Sequence, residues 1–378
     1  MISSSPDNVI ASLGESNRVC KVRLWFLLGT TTPGRHLEQV LAAMQVPFPE
    51  LTLLQLSSNI NGETLSVVPD SFLDGSAPRL QDFALVGIPF PGLPKLVSSA
   101  THLVKLRLEN IPHSGYISPE AIVALISVMS SLQSLSIQFR SPQSCPDRET
   151  RCLPPPKRSV IPALFFFFFR GVTEYLEDLV TCIDTPHLNT MRITFFNQID
   201  YDTPRLVQFV NRTPKLGKQS AHVQFNDEIV HVGLSPGTLV IAISCREPDW
   251  QLSSIEQVCN SLCPLSTIED LYIEHQYRKL VWKNEAIENT LWLQFLLPFT
   301  AVKNLYLSKE SAPGIAATLQ ELVGIAEVLP ILQNVFVKGL EPSGAFQKNI
   351  GKFVDARQLS GHLIAISDWH QDSSTTFI

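Results

Sequence analysis

The side chains that could do chemistry in this 378-residue chain are mostly scattered singly. One group stands closer together: Cys259 and Cys263 lie four residues apart on a predicted helix, and His275 follows twelve residues later. Thiolate and imidazole are ligands of Zn²⁺, but a structural zinc site needs four of them, and no fourth ligand with the usual spacing accompanies these three. The sequence therefore predicts no metal and no cofactor.

The short phrases that mark common catalytic sites are missing as well. The chain contains no G-x-x-x-x-G-K-[ST], no H-E-x-x-H and no G-x-G-x-x-G. We expect no catalytic residues, and an enzyme is the minor alternative.

What remains is binding chemistry, carried by aromatic and arginine side chains that alternate with apolar residues in short segments. Such alternation in a strand places them on the face opposite to the apolar residues. Arginine and aromatic side chains dominate protein interfaces, since they bury much area with modest loss of entropy. The alternative is that the rings only stack on one another across neighbouring strands. The predicted partner-binding residues are Arg23, Trp25, Arg107, Phe166, Phe168, Arg170, Arg192, Tyr272, Tyr306 and Phe336.

The segments that carry these residues share one pattern, an apolar residue followed at +3 and +5 by two more, as in Leu51, Leu54 and Leu56. The phrases begin at Val19, Leu51, Leu80, Leu103, Leu132, Leu164, Leu188, Ile268, Val302 and Leu332. With a poor copy at Leu216 and one more around Leu239, twelve units span 313 residues in eleven steps, a mean step of just over 28 residues.

This phrase is the strand segment of a leucine-rich repeat, whose units are about 20 to 29 residues long. The stretches between the phrases have helical spacing: Ser118-Pro119 predicts a helix start, and Ser254 with Gln257 has the spacing of a capping box. The sequence thus predicts an α/β fold, an irregular leucine-rich-repeat solenoid with an open, curved parallel sheet on the concave side and helices on the convex side. A generic α/β protein with parallel strands is the alternative.

Three regions follow from this reading. Residues 1–18 are expected to be an N-terminal remnant or partial cap, 19–340 the repeat solenoid, and 341–378 a C-terminal capping segment. Within the solenoid, 141–159 is predicted to be a loop insertion. Its basic residues, Arg148, Arg151, Lys157 and Arg158, flank three prolines and indicate a solvated loop or, alternatively, a flexible arm for an acidic partner.

Composition narrows the surroundings of the protein. Hydrophobic residues make up 44% and charged residues 17%, which favours a folded chain. The net charge of -6 argues against nucleic acid as a partner. The longest apolar run, from Val160 to Phe169, is too short to span a bilayer, and the first residues lack the pattern of a secretory signal. Seven cysteines without paired spacing fit a reducing compartment, so we expect a cytoplasmic or nuclear protein without a membrane partner.

Four stretches carry a family resemblance, namely 69–80, 87–94, 111–120 and 175–179, which read PDSFLDGSAPRL, GIPFPGLP, IPHSGYISPE and YLEDL. They resemble the leucine-rich-repeat part of the expanded F-box-like proteins of mushroom-forming fungi, and the likeness covers roughly residues 9 to 370. The resemblance implies an N-terminal F-box that binds the adaptor of a Skp-cullin-F-box ubiquitin ligase, and repeats that select the substrate.

Nothing before Val19 offers an F-box, so an adaptor is an expected partner only if an F-box lies upstream, and no residue here takes that role. The predicted function is a non-catalytic protein-protein recognition module, the substrate-selecting repeat region of an F-box-type ubiquitin ligase subunit, whose partner is an unknown substrate protein. The alternative is a stand-alone leucine-rich-repeat scaffold or inhibitor with no ubiquitin role.

Overall fold

The computed structural model describes residues 6–26, 33–59, 67–90, 96–97, 99–145, 157–198, 201–216, 220–234, 238–262, 265–275, 289–321, 328–340 and 344–369. The chain forms two compact units, Met1–Asn189 and Thr190–Ile378, which we call the N-terminal unit and the C-terminal unit.

The N-terminal unit contains six parallel sheet strands that follow one another in chain order, apart from a short side strand. The six strands are β1 (Lys21–Phe26), β2 (Leu53–Ser58), β3 (Asp82–Val86), β4 (Lys105–Ile111), β5 (Ser134–Phe139) and β7 (Phe166–Gly171). Two short strands, β6 (Ser159–Val160) and β8 (Ile183–Asp184), form a separate parallel pair.

Equivalent positions of successive phrases lie side by side on neighbouring strands of this sheet. Leu54 lies beside Phe83, which lies beside Leu106, then Leu135, then Phe167, and all five are the +3 residues of their phrases. Each is fully buried. Burying a side chain of this size stabilises the fold by about 1.5–3 kcal/mol, so every repeat adds one such layer to a continuous core. The predicted repeating α/β unit with buried rungs is confirmed.

Because successive side chains of a strand point to opposite faces, the +2, +4 and +6 residues of each phrase lie on the other side of the sheet. We call this side the open face. The α-helices of the N-terminal unit whose bounds lie in the described residues include α1 (Pro6–Leu13), α2 (Pro33–Ala43), α3 (Pro119–Ile126) and α4 (Thr173–Thr181). The predicted start of α3 is confirmed, since the Ala121 N–H donates to Ser118 Oγ at 3.2 Å and Pro119 occupies the first turn.

The C-terminal unit contains eight sheet strands, which are hydrogen-bonded to their neighbours in the order β9-β12-β11-β10-β13-β14-β15-β16. These strands are β9 (Thr190–Phe195), β10 (Ser220–Phe225), β11 (Ile229–Leu234), β12 (Leu239–Ser244), β13 (Asp270–His275), β14 (Asn304–Leu307), β15 (Asn334–Val337) and β16 (Ala365–Asp368). All neighbouring pairs are parallel except the two that involve β11, which runs antiparallel to β10 and to β12. The mixed α/β class is confirmed, and the sheet is mostly parallel.

The prediction of an ordinary repeat around Leu239 is wrong, because the chain makes a three-stranded meander there. The turn between β10 and β11 explains the change of direction: Asn226 Oδ1 accepts hydrogen bonds from the backbone N–H groups of Glu228 (3.0 Å) and Ile229 (2.9 Å). A turn closed this tightly by an asparagine side chain leaves no room for a helical crossover. The predicted phrase at Leu216 is also misplaced, since β10 begins at Ser220 and buries Ala221 as its +3 residue.

Five helices of the C-terminal unit are described: α5 (Pro204–Arg212), α6 (Pro248–Leu262), α7 (Asn289–Leu296), α8 (Ala312–Glu321) and α9 (Ala345–Leu359). The capping box predicted at Ser254 is wrong, because α6 begins at Pro248 and Ser254 is buried inside it. One turn after that start, the Gln251 side chain donates to the carbonyl oxygens of Asn226 (2.8 Å) and Cys245 (2.6 Å), which fastens α6 to the meander.

Two predicted features fall largely or partly outside the described residues. Of the loop insertion at 141–159, residues 146–156 with Arg148 and Arg151 lie outside, and so does Cys263. Arg158 is described, and its Nη1 lies 4.0 Å from Asp184 Oδ1. No helix in the described ranges is both long enough and apolar enough to cross a membrane.

Candidate functional site

Four aromatic side chains form one continuous stack on the open face of the C-terminal unit. The ring centroids of His222 and Tyr272 are 3.9 Å apart, those of Tyr272 and Tyr306 are 4.1 Å apart, and those of Tyr306 and Phe336 are 4.6 Å apart. The planes of neighbouring rings differ by 4°, 7° and 11°. We call these four residues the aromatic row.

The row follows directly from strand register. His222, Tyr272, Tyr306 and Phe336 occupy equivalent positions of the parallel neighbours β10, β13, β14 and β15. Equivalent residues of parallel strands point to the same face and lie about one strand spacing, 4.7–4.9 Å, apart, which suits face-to-face rings. All four residues are half-buried, so part of the surface of each remains accessible to solvent.

A tryptophan closes one side of the row. Trp369 follows β16, and its backbone N–H donates to the Val337 carbonyl at 3.0 Å. Its ring meets Tyr272 and Tyr306 at steep angles, with centroid distances of 5.9 Å and 5.5 Å. Lys338 Nζ lies 5.9 Å from the centroid of the Trp369 ring, within reach of a weak cation–π contact. This side of the row therefore presents an indole and an ammonium together.

A ladder of polar side chains runs parallel to the row, two residues earlier on each strand. Asn304 Nδ2 donates to Asp270 Oδ1 at 2.7 Å, and Asn334 Nδ2 donates to Asn304 Oδ1 at 2.8 Å. Bonds to an ionised carboxylate are stronger than bonds between neutral groups, so Asp270 anchors the ladder. The ladder fixes the relative positions of β13, β14 and β15, and with them the ring spacing.

Burial disfavours the charged forms of His222 and Tyr272. It lowers the pKa of His222 to about 4, against which the Asp270 carboxylate acts weakly in the opposite sense. Burial also raises the pKa of the Tyr272 phenol, and the adjacent Tyr306 adds to that shift. Glu274, two residues further along β13, has a pKa raised by burial and partly lowered again by Lys338. The row is therefore a neutral aromatic strip with carboxylates on one of its strands.

The aromatic row ends at His222, because the next strand, β11, carries a glycine at the equivalent position. On β11 the residue beside His222 is Gly233, and beyond it come Val240 of β12 and then Arg192 of β9. Arg192 is exposed but lies three strands from His222. Of the predicted binding residues in this unit, the structure brings Tyr272, Tyr306 and Phe336 together and leaves Arg192 apart from them.

The predicted residues of the N-terminal unit lie on the open face of its sheet, on three strands. Arg23 and Trp25 are on β1 and both are exposed, Trp25 to 59%. Arg107 is on β4, where its Nη2 lies 3.9 Å from Asp82 Oδ1 on β3.

Phe166, Phe168 and Arg170 alternate on β7. The rings of Phe166 and Phe168 are 6.5 Å apart and nearly parallel, and the ring of Phe165 meets Phe166 edge-on at 4.7 Å. Phe166 is 40% exposed. Phe165, Phe166 and Phe168 thus form a small apolar patch at β7.

Two members of the C-terminal site were missed from the sequence. His222 was missed because the phrase was placed on Leu216, although the strict alternation of Ala221, Val223 and Phe225 carries the correct register. Trp369 was missed because it follows the last strand rather than lying in it, and the short alternation before it gave only a weak signal.

Comparison with known proteins adds little to this picture. No family model matches the chain, and no curated protein matches it. Among solved structures, the chain is similar to the leucine-rich repeat-containing protein LegL7 from Legionella pneumophila, at 11% identity, over 94% of this chain and 100% of that one, with a TM-score of 0.34. A likeness at that TM-score carries no argument.

Proposed function

We propose that this chain is a non-catalytic protein-recognition module that binds a partner protein through the aromatic row of the C-terminal unit. The observation that carries the proposal is the stack of four half-exposed rings held at 3.9–4.6 Å on the open face. Half-exposed aromatic residues in a fixed array are typical of the energetic centre of protein interfaces.

The physical reason is preorganisation. Each ring is already held by its neighbours, so a partner that packs on the row does not have to immobilise the rings. Aromatic side chains also combine a large apolar surface with few rotatable bonds. Polar and aromatic groups beside the row can orient a partner. They are the indole of Trp369 on one side and the side chains of the Asp270–Asn304–Asn334 ladder along the row.

A purely structural role for the stack is the competing explanation, and one experiment separates the two. Tagged protein and two variants, Tyr306→Ser and Trp250→Ser, are used to capture partners, which are identified by quantitative mass spectrometry. Trp250 is an exposed aromatic residue of α6 outside the row, so it controls for general loss of apolar surface. We expect proteins captured by the unaltered chain to be lost with Tyr306→Ser and kept with Trp250→Ser. Equal capture by both variants, each folded by circular dichroism, would reject the proposal.

The finer proposal is that the repeats select the substrate of an F-box-type ubiquitin ligase. Its support is the resemblance of residues 69–80, 87–94, 111–120 and 175–179 to the F-box-like family. A stand-alone scaffold or inhibitor is the alternative. The same mass spectrometry separates them when the chain is captured from its own cells: adaptor and cullin peptides support the ligase role, and a partner recovered without them supports the scaffold.

A further inference from the structure

We propose that the open face of the N-terminal unit binds an extended acidic segment of a partner protein that carries an aromatic residue. This inference concerns other residues than the aromatic row and goes beyond the function proposed above, so either can fail while the other stands. The surface is defined by the outward side chains of β1 to β5 and β7.

The first observation is the sign of the charge on this surface. Its outward strand positions hold five cations against two anions, Asp82 and Glu109, a net charge of +3, whereas the whole chain carries -6. The cations are Lys21, Arg23, Lys105, Arg107 and Arg170. A positive face on a negative protein attracts acidic partners and orients them during encounter.

The second observation is which charges are already engaged. Both anions make polar contacts within the face: Asp82 is approached by Arg107 Nη2 and accepts from Gln55 Nε2 at 3.4 Å, and Glu109 Oε1 accepts from Ser136 Oγ at 3.3 Å. In contrast, Lys21, Arg23 and Lys105 are exposed, and across the described part of the chain none of them takes part in an ion pair. A partner carboxylate can therefore pair with them without displacing an existing contact.

The third observation is spacing. Arg23, Gln55, Ala84, Arg107, Ser136 and Phe168 occupy one row across the six strands. At one strand spacing per step, Arg23 and Arg107 stand about 14 Å apart, and Phe168 stands about 10 Å beyond Arg107. Two side chains lie between the arginines: Gln55, which is half-buried and donates to Asp82, and Ala84, which is small and buried. Neither carries a charge, so an extended peptide can cross the sheet there.

These distances specify the ligand. An extended chain advances about 3.3 Å per residue and its side chains alternate between two faces, so two acidic residues four positions apart reach Arg23 and Arg107 from the same face. An aromatic residue four positions later points to that face as well and comes within a side-chain length of the phenylalanine patch. Arginine pairs with carboxylate through two parallel hydrogen bonds. The nearly parallel rings of Phe166 and Phe168 form an apolar contact surface for the aromatic residue.

A protein segment is favoured over nucleic acid because carboxylates are mixed with the cations. Asp82 lies on β3 beside Lys105 of β4, and Glu109 lies on β4 itself, two residues after Arg107. A phosphate backbone would be repelled by both, and nucleic-acid surfaces are usually uninterrupted basic stripes.

Binding to synthetic probes tests the inference. The ligand probe is a short labelled peptide of glycine and serine with two glutamates four residues apart and a phenylalanine four residues after the second. The comparison probes carry lysines for the glutamates or serine for the phenylalanine, and a labelled single-stranded DNA serves as the nucleic-acid arm. Affinity is measured by fluorescence anisotropy with the full chain. The double variants Arg23→Glu/Arg107→Glu and Lys21→Glu/Lys105→Glu are compared with Lys352→Glu, an exposed cation on α9.

We expect the glutamate–phenylalanine peptide to bind most tightly, to lose affinity as salt is raised, and to bind about tenfold more weakly to either double variant but unchanged to Lys352→Glu. The second double variant is included because Arg107→Glu places a new carboxylate near Asp82 and can disturb folding. Equal binding of the lysine peptide, equal binding by folded double variants, no binding of the glutamate–phenylalanine peptide, or tighter binding of the DNA would each overturn the inference.

Discussion

The imidazole of His222 lies face to face with the phenol of Tyr272, with ring centroids 3.9 Å apart and planes 4° from parallel. The two residues are fifty positions apart in sequence, and the β10–β11–β12 meander lies between them along the chain. Because the meander folds back towards β9, it leaves the outer edge of β10 for β13. The departure from the regular repeat is thus what makes His222 the end of the aromatic row.

The first prediction concerns the titration of His222. Burial against Tyr272 disfavours the charged imidazolium, so we expect a titration midpoint at a pH of about 4 in the folded protein. Histidine ring NMR signals followed from pH 8 to pH 3 measure it directly, with a His222→Gln variant to assign the resonance. A midpoint between 6 and 7 would show that the ring is not shielded as described.

The same shift has a consequence for stability. Below the ordinary histidine pKa of about 6.5 the unfolded chain binds a proton that folded His222 does not, so the free energy of unfolding falls as pH drops from about 6.5 towards 4. Burial likewise lowers the pKa of His275 to about 4, and the raised pKa of Glu274 acts in the opposite sense. The difference between the unaltered chain and His222→Gln, measured by urea denaturation at pH 7 and pH 5, isolates the His222 contribution. A slope identical in both proteins would contradict it.

Much of the fold was predictable because the spacing of the buried residues within each strand can be recognised from a short stretch of sequence. Leu132, Leu135 and Ile137 could be read as one strand from their spacing alone, and the structure buries all three completely. The meander could not be read in this way. Its first turn depends on the side chain of Asn226 closing onto the backbone of Glu228 and Ile229, without the glycine that usually marks a two-residue hairpin.

The candidate site could likewise be predicted from the sequence only in part. Tyr272, Tyr306 and Phe336 were predicted to share one face because their strands carry the regular phrase. His222 joins them through a strand whose phrase lacks its leucine, and Trp369 joins through a backbone hydrogen bond to Val337. Contacts made by residues far apart in sequence leave no spacing to recognise.

The second prediction tests the polar ladder. In Asn304→Asp, a carboxylate replaces the amide that donates to Asp270 at 2.7 Å, so two like charges meet and one donor is lost. We expect the free energy of unfolding to fall by about 1–3 kcal/mol at pH 7, and most of the loss to disappear below pH 4, where one carboxyl can hold a proton and donate it. Chemical denaturation at both pH values measures the effect.

Asn334→Asp is the matched control for that change. It makes the same substitution on the neighbouring strand, where the partner is Asn304 Oδ1 rather than a carboxylate. We expect a smaller loss that recovers only in stronger acid, because no neighbouring carboxylate raises the pKa of the introduced carboxyl. If both variants behave alike at both pH values, charge repulsion at Asp270 is not the cause.

The third prediction concerns two glycines with left-handed backbone in the N-terminal unit. Gly87 has φ of 69° and Gly75 has φ of 66°, but a Cβ at Gly87 would collide with the backbone carbonyl oxygen of Ser58, whereas a Cβ at Gly75 would meet nothing within 4 Å. We expect Gly75→Ala to destabilise the protein by about 1 kcal/mol, from backbone strain alone, and Gly87→Ala by roughly 3 kcal/mol or more. Thermal unfolding followed by circular dichroism compares them, and equal losses would argue against the close approach of Gly87 to β2.

The fourth prediction extends the aromatic row by one strand. Gly233 lies beside His222 in the antiparallel pair of β10 and β11, and a Cβ there would make only ordinary contacts, 3.8 Å from His222 Cβ. Gly233→Ala should therefore raise stability by about 0.5 kcal/mol through the backbone, and Gly233→Tyr should add roughly 0.5–1 kcal/mol more by stacking its ring on His222. Urea denaturation of the three proteins measures both steps. Because a fifth ring would shield the imidazole further, the titration midpoint of His222 should also move lower in Gly233→Tyr but not in Gly233→Ala. A tyrosine variant no more stable than the alanine variant, with an unmoved midpoint, would show that the row cannot be continued across β11.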